Sequence, residues 1–493
     1  MTRLIAVLIV IATAPTAAHA DQFDRSRAQI QYVMRLNQVP SITVAVAQRG
    51  EIVWEESFGW ADIEKKIPAT PHTPYSLASI SKPITATALM VLVERGAIDL
   101  DKPIDDYLGA QKVTVRTGSA REVTVRRVAS HTAGLPLHVQ FFYEDENIDP
   151  PPKDETIRRY ATIVDEPGER FVYSNIGFGL LEWAIEQASG MSYSQFLDKE
   201  LFGPLGLASA AVNPRATAER PVASRYWIGR IRVPFYEFDQ LGGGGLFMSA
   251  HDLLRFGMFH LHGRIDGQRH APVRKNTLDA MHEPTQLKDG SSAGYGIGWF
   301  VGEQHGLRRI NHNGGMAGVA SVLSIYPEEQ AVIVVLANGV TATGAVHFLE
   351  NDIVHDLLPD TIRHDHGFKP QPEWVGLWKG KASTYAGPMP VEIDIRENGS
   401  IFVRIGSSAP QEVVTVRFDS KTGYLELDDL IGTIDTPDAM RYPGKLQLSL
   451  KQRRPGVISG SISTNSTERL GDRMGNALSY WIELERQERK AQP

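Results

Sequence analysis

Apolar residues recur at near-helical spacing from Phe23 to Leu36 and Pro40 follows, which predicts an amphipathic helix. Ser41 to Gln48 then alternates, Arg49-Gly50 turns, and Glu51 to Phe58 alternates again, the signature of a β-hairpin. Ser79 to Glu94 is apolar nearly all round and closes at Gly96, as a helix sunk in a core does. Helices and loops predominate from there to about Ala250, with Asn175 to Ala188 the clearest helix, ended by Gly190. Two further strands, Gly318 to Tyr326 and Ala331 to Ala337, flank the turn Pro327-Glu328-Glu329-Gln330. Strands at both ends of a segment with a helical middle predict an α/β fold. One antiparallel sheet forms from N-terminal and C-terminal strands, with helices packed on it and a mostly helical inserted region.

Past residue 358 the rhythm changes. Pro359, Pro370 and Pro372, with His364 and His366 between them, predict a linker over 359–372. Beyond it come short alternating runs: Val391 to Ile395, Ile401 to Ile405, Val413 to Phe418, Tyr424 to Leu427, Leu446 to Leu450 and Val457 to Ile462. Their recurrence predicts a small all-β, barrel-like domain over 373–493. At the other end, an apolar run from Leu4 to Ala12 and Ala18-His19-Ala20 before Asp21 read as a secretory leader over 1–20, too short for a membrane span. The expectation is an exported, periplasmic or secreted protein, its main domain covering 21–358.

Composition narrows the chemistry. Of 493 residues, 51 are Lys or Arg and 58 Asp or Glu, so no basic excess points to nucleic acid. There is no cysteine, which excludes disulfides, thiol nucleophiles, thiolate metal sites and lipid attachment at a leader cysteine. No later apolar run reaches spanning length, and no internal repeat is evident.

Ser79-Ile80-Ser81-Lys82 is the only S-x-x-K in the chain. On a helix, residues three apart share a face, so the Ser79 hydroxyl and the Lys82 amine can meet. At a helix start, Ser79 would sit among unpaired N–H groups that stabilise a developing oxyanion, and Pro83 is tolerated there. A lysine takes a serine proton only when neutral, so burial must depress its pKa.

Tyr75-Ser-Leu-Ala-Ser79-Ile-Ser-Lys82-Pro-Ile-Thr-Ala resembles the first motif of the serine β-lactamase and penicillin-binding-protein superfamily. The branch it most resembles holds class C β-lactamases, soluble DD-peptidases, D-aminopeptidases and family VIII esterases. That branch carries a Y-x-N motif, matched by Tyr173-Ser174-Asn175 just before a predicted helix. The resemblance implies that Tyr173 shares proton transfer with Lys82 and later activates water, and that Asn175 hydrogen-bonds substrate. A buried tyrosine and an Asn at a helix start are the bland alternatives.

The third motif of the family is K-T-G or H-x-G on a strand beside the nucleophile. Lys421-Thr422-Gly423 matches literally but falls between two predicted strands of the trailing β-region, where it reads as a hairpin turn. Lys288-Asp289-Gly290 lies in a polar loop. His312-Asn313-Gly314-Gly315 leads into an alternating strand in the right place and is the expected third motif. The resemblance then implies that Gly314 lets substrate approach closely and that the N–H groups of Ser79 and Gly315 form the oxyanion hole; both glycines suit a close backbone approach. Histidine in place of lysine removes a fixed cation, which puts strong β-lactam hydrolysis in doubt.

Ala129-Ser-His131-Thr-Ala-Gly134-Leu-Pro136, Gly244 to Phe256 and Tyr295-Gly-Ile-Gly-Trp299 resemble further family segments, with His131 read as structural. The trailing region resembles the lipocalin-like domains of some D-aminopeptidase relatives in strand rhythm and in Trp374-Val-Gly376-Leu-Trp378. Gly290-Ser291-Ser292-Ala293-Gly294 matches a nucleophile elbow but lacks the strand and helix that motif needs. Gly242 to Gly245 reads as a flexible loop, since no phosphate-cradling motif accompanies it. His355, His364 and His366 read as solvated linker residues without zinc-ligand spacing. The sequence predicts a serine hydrolase forming an acyl-enzyme on an amide, peptide or ester, with neither metal nor organic cofactor. A β-lactamase, or a catalytically silent binding protein on the same fold, are the alternatives.

Overall fold

The computed structural model describes residues 21–217, 221–263, 265–339, 345–359, 368–413, 415–420, 423–441, 445–465 and 477–487. The leader-like segment 1–20, His364, His366, Lys421 and Thr422 lie outside them.

The predicted N-terminal helix is α1 (Asp24–Asn37), and the hairpin is β1 (Ser41–Gln48) and β2 (Glu51–Asp62). A two-residue strand, β3 (Ile67–Pro68), follows. Later in the chain come β4 (Phe300–Gln304), β5 (Leu307–Met316), β6 (Val319–Tyr326) and β7 (Ala331–Ala337). They make one sheet in the order β4-β5-β6-β7-β1-β2-β3. The seam between its two halves is β1 against β7, antiparallel from Ile42↔Ala337 to Gln48↔Ala331. The predicted sheet of N- and C-terminal strands is thus observed, and β4 and β5 extend it beyond the expected strands.

Strand periodicity places alternate side chains on opposite faces. On one face Ile42, Val44, Val46, Ile333 and Val335 pack with Ile30 and Val33 of α1 and with Ile353 of a helix at Ala345–Leu357, here α5. On the other, Ala45, Ala47, Val332, Val334 and Leu336 join the larger core of the helical region. Both faces are therefore covered, which explains why β6 and β7 are buried along their whole length. In β5, Ile310 belongs to the second face, so His312 and Gly314, two and four residues on, look the same way.

The helices expected in the middle are present. The apolar stretch after Ser79 forms α2 (Ser81–Glu94), buried from Ser81 to Leu92. The predicted 175–188 helix is α3 (Asn175–Ser189), with Ser174 capping its start and Gly190 in the left-handed conformation at its end. A helix at Ala250–His260, α4, packs on the sheet. His355 departs from the sequence reading: it lies inside α5 and is buried rather than solvated, because the apolar period Val346, Leu349, Ile353 carries the helix nearly to Pro359.

The described residues of the trailing region form nine strands: β8 (Gly376–Thr384), β9 (Gly387–Ile395), β10 (Ile401–Ile405), β11 (Gln411–Glu412), β12 (Thr415–Asp419), β13 (Tyr424–Leu430), β14 (Lys445–Arg454), β15 (Val457–Asn465) and β16 (Ala477–Arg486). Their order is β11-β10-β9-β8-β16-β15-β14-β13-β12. The two edge strands, β11 and β12, are consecutive in the chain, so the sheet curls until its edges approach. The interior of this barrel-like sheet is filled by its own cluster, including Trp378, Ile393, Val403, Leu427, Leu448 and Ile482.

Candidate active site

Ser79 stands on a single 3-10 turn, Ala78–Ile80, immediately ahead of α2, rather than on the helix itself. Ala78 has φ +49°, an uncommon backbone state for a residue with a side chain. The surrounding bonds hold it there. Leu77 N–H donates to Leu246 O at 2.9 Å, Leu246 N–H donates to Ser81 Oγ at 3.0 Å, and Ser321 Oγ of β6 donates to Leu77 O at 2.8 Å. Strain fixed by neighbours in this way keeps the Ser79 hydroxyl in one place.

Lys82, one helical turn on, is fully buried, and burial holds its amine well below the ordinary lysine range. Its Nζ donates to Asn175 Oδ1 at 2.7 Å and to Gly243 O at 2.7 Å, and lies 3.1 Å from Ser79 Oγ. A neutral amine has two N–H bonds and one lone pair. Both N–H bonds go to groups that can only accept, so the lone pair is left for the Ser79 hydroxyl.

Each of the two acceptors is fixed from outside. Asn175 Nδ2 donates to His138 O at 2.8 Å, which turns Oδ1 toward Lys82. The 240–243 loop is held by the buried Glu182 carboxylate, which accepts Leu241 N–H at 2.6 Å and Gly242 N–H at 2.8 Å and pairs with Lys153. His138 Nε2 and Asp239 Oδ2 are 2.7 Å apart, joining the segment that orients Asn175 to the loop that presents Gly243 O. Asn175 therefore meets Lys82 with its oxygen and His138 with its nitrogen.

Tyr173 lies beside the same two residues. Its ring lies 4.7 Å from Lys82 Nζ. Burial pushes its phenol well up, opposed by a hydrogen bond with Ser79, so the resting group is a neutral phenol. His131 packs on Tyr173 with tilted rings 4.4 Å apart and accepts Ser174 N–H on Nδ1 at 3.1 Å. This histidine packs on the Y-x-N segment directly, and burial holds it neutral, its proton on Nε2.

His312 comes into the same cluster from β5. Its Nδ1 is 2.8 Å from Asn313 O, a pure acceptor, so Nδ1 carries the proton and Nε2 accepts from Tyr295 Oη at 3.0 Å. Burial, then Lys82, pulls it down to about 3. Tyr295 is a site residue that the sequence reading treated as having no chemistry; its only signal was the spacing Tyr295-Gly-Ile-Gly-Trp299 ahead of the third motif.

The two glycines of the third motif differ. A Cβ on Gly314 would meet Leu77 O and Ser321 Oγ, each at 2.3 Å, so this strand residue presses on the turn that bears Ser79. A Cβ on Gly315 would have no protein atom within 4 Å. Of the set-aside motifs, Gly290 to Gly294 forms turns and an isolated bridge with no helix after it. Among the described residues no group of three or more His, Cys, Asp or Glu side chains could hold a metal ion.

The match to known proteins agrees with this geometry: the Beta-lactamase family covers residues 27–352. The chain belongs to the Beta-lactamase family. Its superfamily, the serine β-lactamases and penicillin-binding proteins, is one of serine hydrolases. Penicillin-binding protein 4* of Bacillus subtilis (strain 168) is 28% identical over 326 residues, covering 60% of this chain and 67% of the relative. The octameric penicillin-binding protein homologue from Pyrococcus abyssi superposes with TM-score 0.58 at 20% identity, covering 94% of this chain and 99% of the other. A D-stereospecific amidohydrolase from Streptomyces sp. superposes with TM-score 0.53 at 21% identity, covering 68% and 99%. At these identities the two structures show a shared fold. Among the described residues no helix is long and apolar enough to cross a membrane.

Proposed function

We propose that this chain is a serine hydrolase that cleaves an amide, peptide or ester through an acyl-enzyme on Ser79. The observation that carries the reading is the environment of Lys82, whose two N–H bonds are committed to Asn175 Oδ1 and Gly243 O, leaving its lone pair on Ser79 Oγ. Ser79 Oγ attacks the carbonyl carbon as its proton passes to Lys82 Nζ, and the carbonyl oxygen becomes an oxyanion held by the N–H groups of Ser79 and Gly315. Collapse expels the leaving group, which takes the proton from Lys82 or through the Tyr173 phenol. Water then attacks the acyl carbon, giving its proton back along the same route to regenerate Ser79 and release the acid.

His312 narrows the substrate. It is held neutral, and both its nitrogens are engaged, so it offers no fixed cation to a substrate carboxylate. This favours an amide, peptide or ester over a β-lactam. The structural neighbour that is a D-stereospecific amidohydrolase supports including D-amino-acid amides in the panel. The test is labelling by a fluorophosphonate, followed by turnover of p-nitrophenyl esters, D-alanyl p-nitroanilide, a D-Ala-D-Ala peptide and nitrocefin. Labelling that disappears in Ser79→Ala supports the enzyme; no labelling of the intact chain under any condition favours a silent binding protein. The leader-like residues Met1 to Ala20 support export, tested by N-terminal sequencing of the protein recovered outside the cytoplasm.

A further inference from the structure

Helix α1 presents two stripes. Ile30 and Val33 are buried against the sheet and Ser26 against Asp356 of α5. Ala28, Tyr32, Arg35 and Leu36, on the opposite side at helical spacing, line a cavity of about 1240 Å³. The facing wall comes from three turns at one end of the barrel-like sheet: 384–390, 405–408 and 431–435. Because the barrel interior is filled by its own side chains, this cavity lies outside it, between the barrel end and α1.

The chemistry of the lining is specific. Leu36, Met389, Ile405, Ile431 and Met440 contribute the apolar part of the lining, with Met440 56% exposed. It carries one cation, Arg35, and one anion, Asp435. Both side chains are exposed, and neither makes a hydrogen bond or ion pair with any described residue, so both charges are open to a ligand. A ligand complementary to this lining carries a carboxylate, an ammonium and apolar groups. Free apolar amino acids and short apolar peptides are that class, and the volume exceeds the ~300–1,000 Å³ of ordinary small-molecule sites, favouring a peptide.

We propose that the cavity between α1 and the barrel end binds a short apolar peptide as a zwitterion, its carboxylate on Arg35 and its ammonium on Asp435. The site is separate from Ser79 and stands whether or not Ser79 is catalytic. Titration calorimetry of the full-length Ser79→Ala chain with leucyl-leucine, its N-acetyl form and its C-terminal amide tests it. Saturable binding of the free dipeptide is expected, with each capped form at least ~10-fold weaker. Arg35→Ala should make the amide and the free acid bind alike, Asp435→Ala should do the same for the acetylated and free amines, and Arg35→Lys should restore most of the preference. Melting curves confirm that each variant is folded. No saturable binding, or binding that neither substitution alters, overturns the proposal.

Discussion

Lys82 Nζ lies 2.7 Å from Asn175 Oδ1, and that amide is kept in register by the donation of its own Nδ2 to His138 O at 2.8 Å. The neutral oxygen matters as much as the distance. A carboxylate at the same place would favour the ammonium form of Lys82 and so remove the base. Asn175→Asp is therefore expected to slow acylation at least ~10-fold at pH 7, each unit of upward shift in the amine costing about tenfold. The rate should return as pH rises. The pH dependence of fluorophosphonate labelling checks this; the other titratable groups facing Lys82 are His131, His312 and Tyr173.

Gly314 and Gly315 are adjacent but should respond oppositely. Gly314→Ala forces its methyl onto Leu77 O and Ser321 Oγ, displacing the turn that bears Ser79. The expected result is a loss of about 1–3 kcal/mol in stability together with most of the activity. Gly315→Ala should fold and react almost normally, since its methyl meets open space. Thermal melts and labelling rates of the two variants decide.

The His138 and Asp239 pair links the two segments that hold Lys82. Asp239→Ala is expected to lower kcat by up to ~10²-fold with KM little changed, because small misplacement of a base is costly. Asp239→Asn, which can still accept from His138 Nε2, should recover much of it. A loss confined to the melting temperature would show the pair to be structural only.

The literal Lys421-Thr422-Gly423 makes a negative prediction. Lys421→Ala should leave turnover nearly unchanged, whereas His312→Ala should not, because His312 lies against Tyr295 and within ring contact of Tyr173. Steady-state kinetics on whichever panel substrate is turned over compares them.

Acid should destabilise the fold through a second histidine pair. His260 Nδ1 and His282 Nε2 are 3.1 Å apart behind α2, and burial holds His260 well below its ordinary value and His282 down at about 3. The unfolded chain binds protons there below pH ~6.5 while the folded chain does not, so stability is full above that pH and falls as pH drops toward 3. Each histidine contributes ~1.4 kcal/mol per pH unit in that window. His282→Gln should flatten the slope of urea-midpoint stability against pH.

Much of this was legible from residue patterns because the patterns reflect burial. Ser41 to Gln48 alternates because its two faces meet different cores, and Ser81 to Leu92 is apolar because every side is covered. The missing pieces have the opposite cause. β5 reads Leu-Arg-Arg-Ile-Asn-His-Asn-Gly-Gly-Met, with no apolar alternation, because its inner positions are given to the site and to Gly314 rather than to core packing. β8 and β16 were hidden by interleaved Lys and Glu on their solvent face and by Gly380, which lies against Glu483 O. The role of Tyr295 depends on a partner seventeen residues away, a relation that spacing alone does not encode.

The pairing of β1 with β7 sets a timetable for synthesis. Ile42 meets Ala337, so the first hairpin waits for nearly three hundred further residues before its second neighbour exists. A two-stranded ribbon is marginal in water, and closing so long a loop is slow. A chain halted before Ala331 would hold α1 to α4 and its Ser79 segment with the β1 edge bare, an invitation to association with other chains. The last strands of the family-matched region thus cover the edge that an unfinished chain would leave bare.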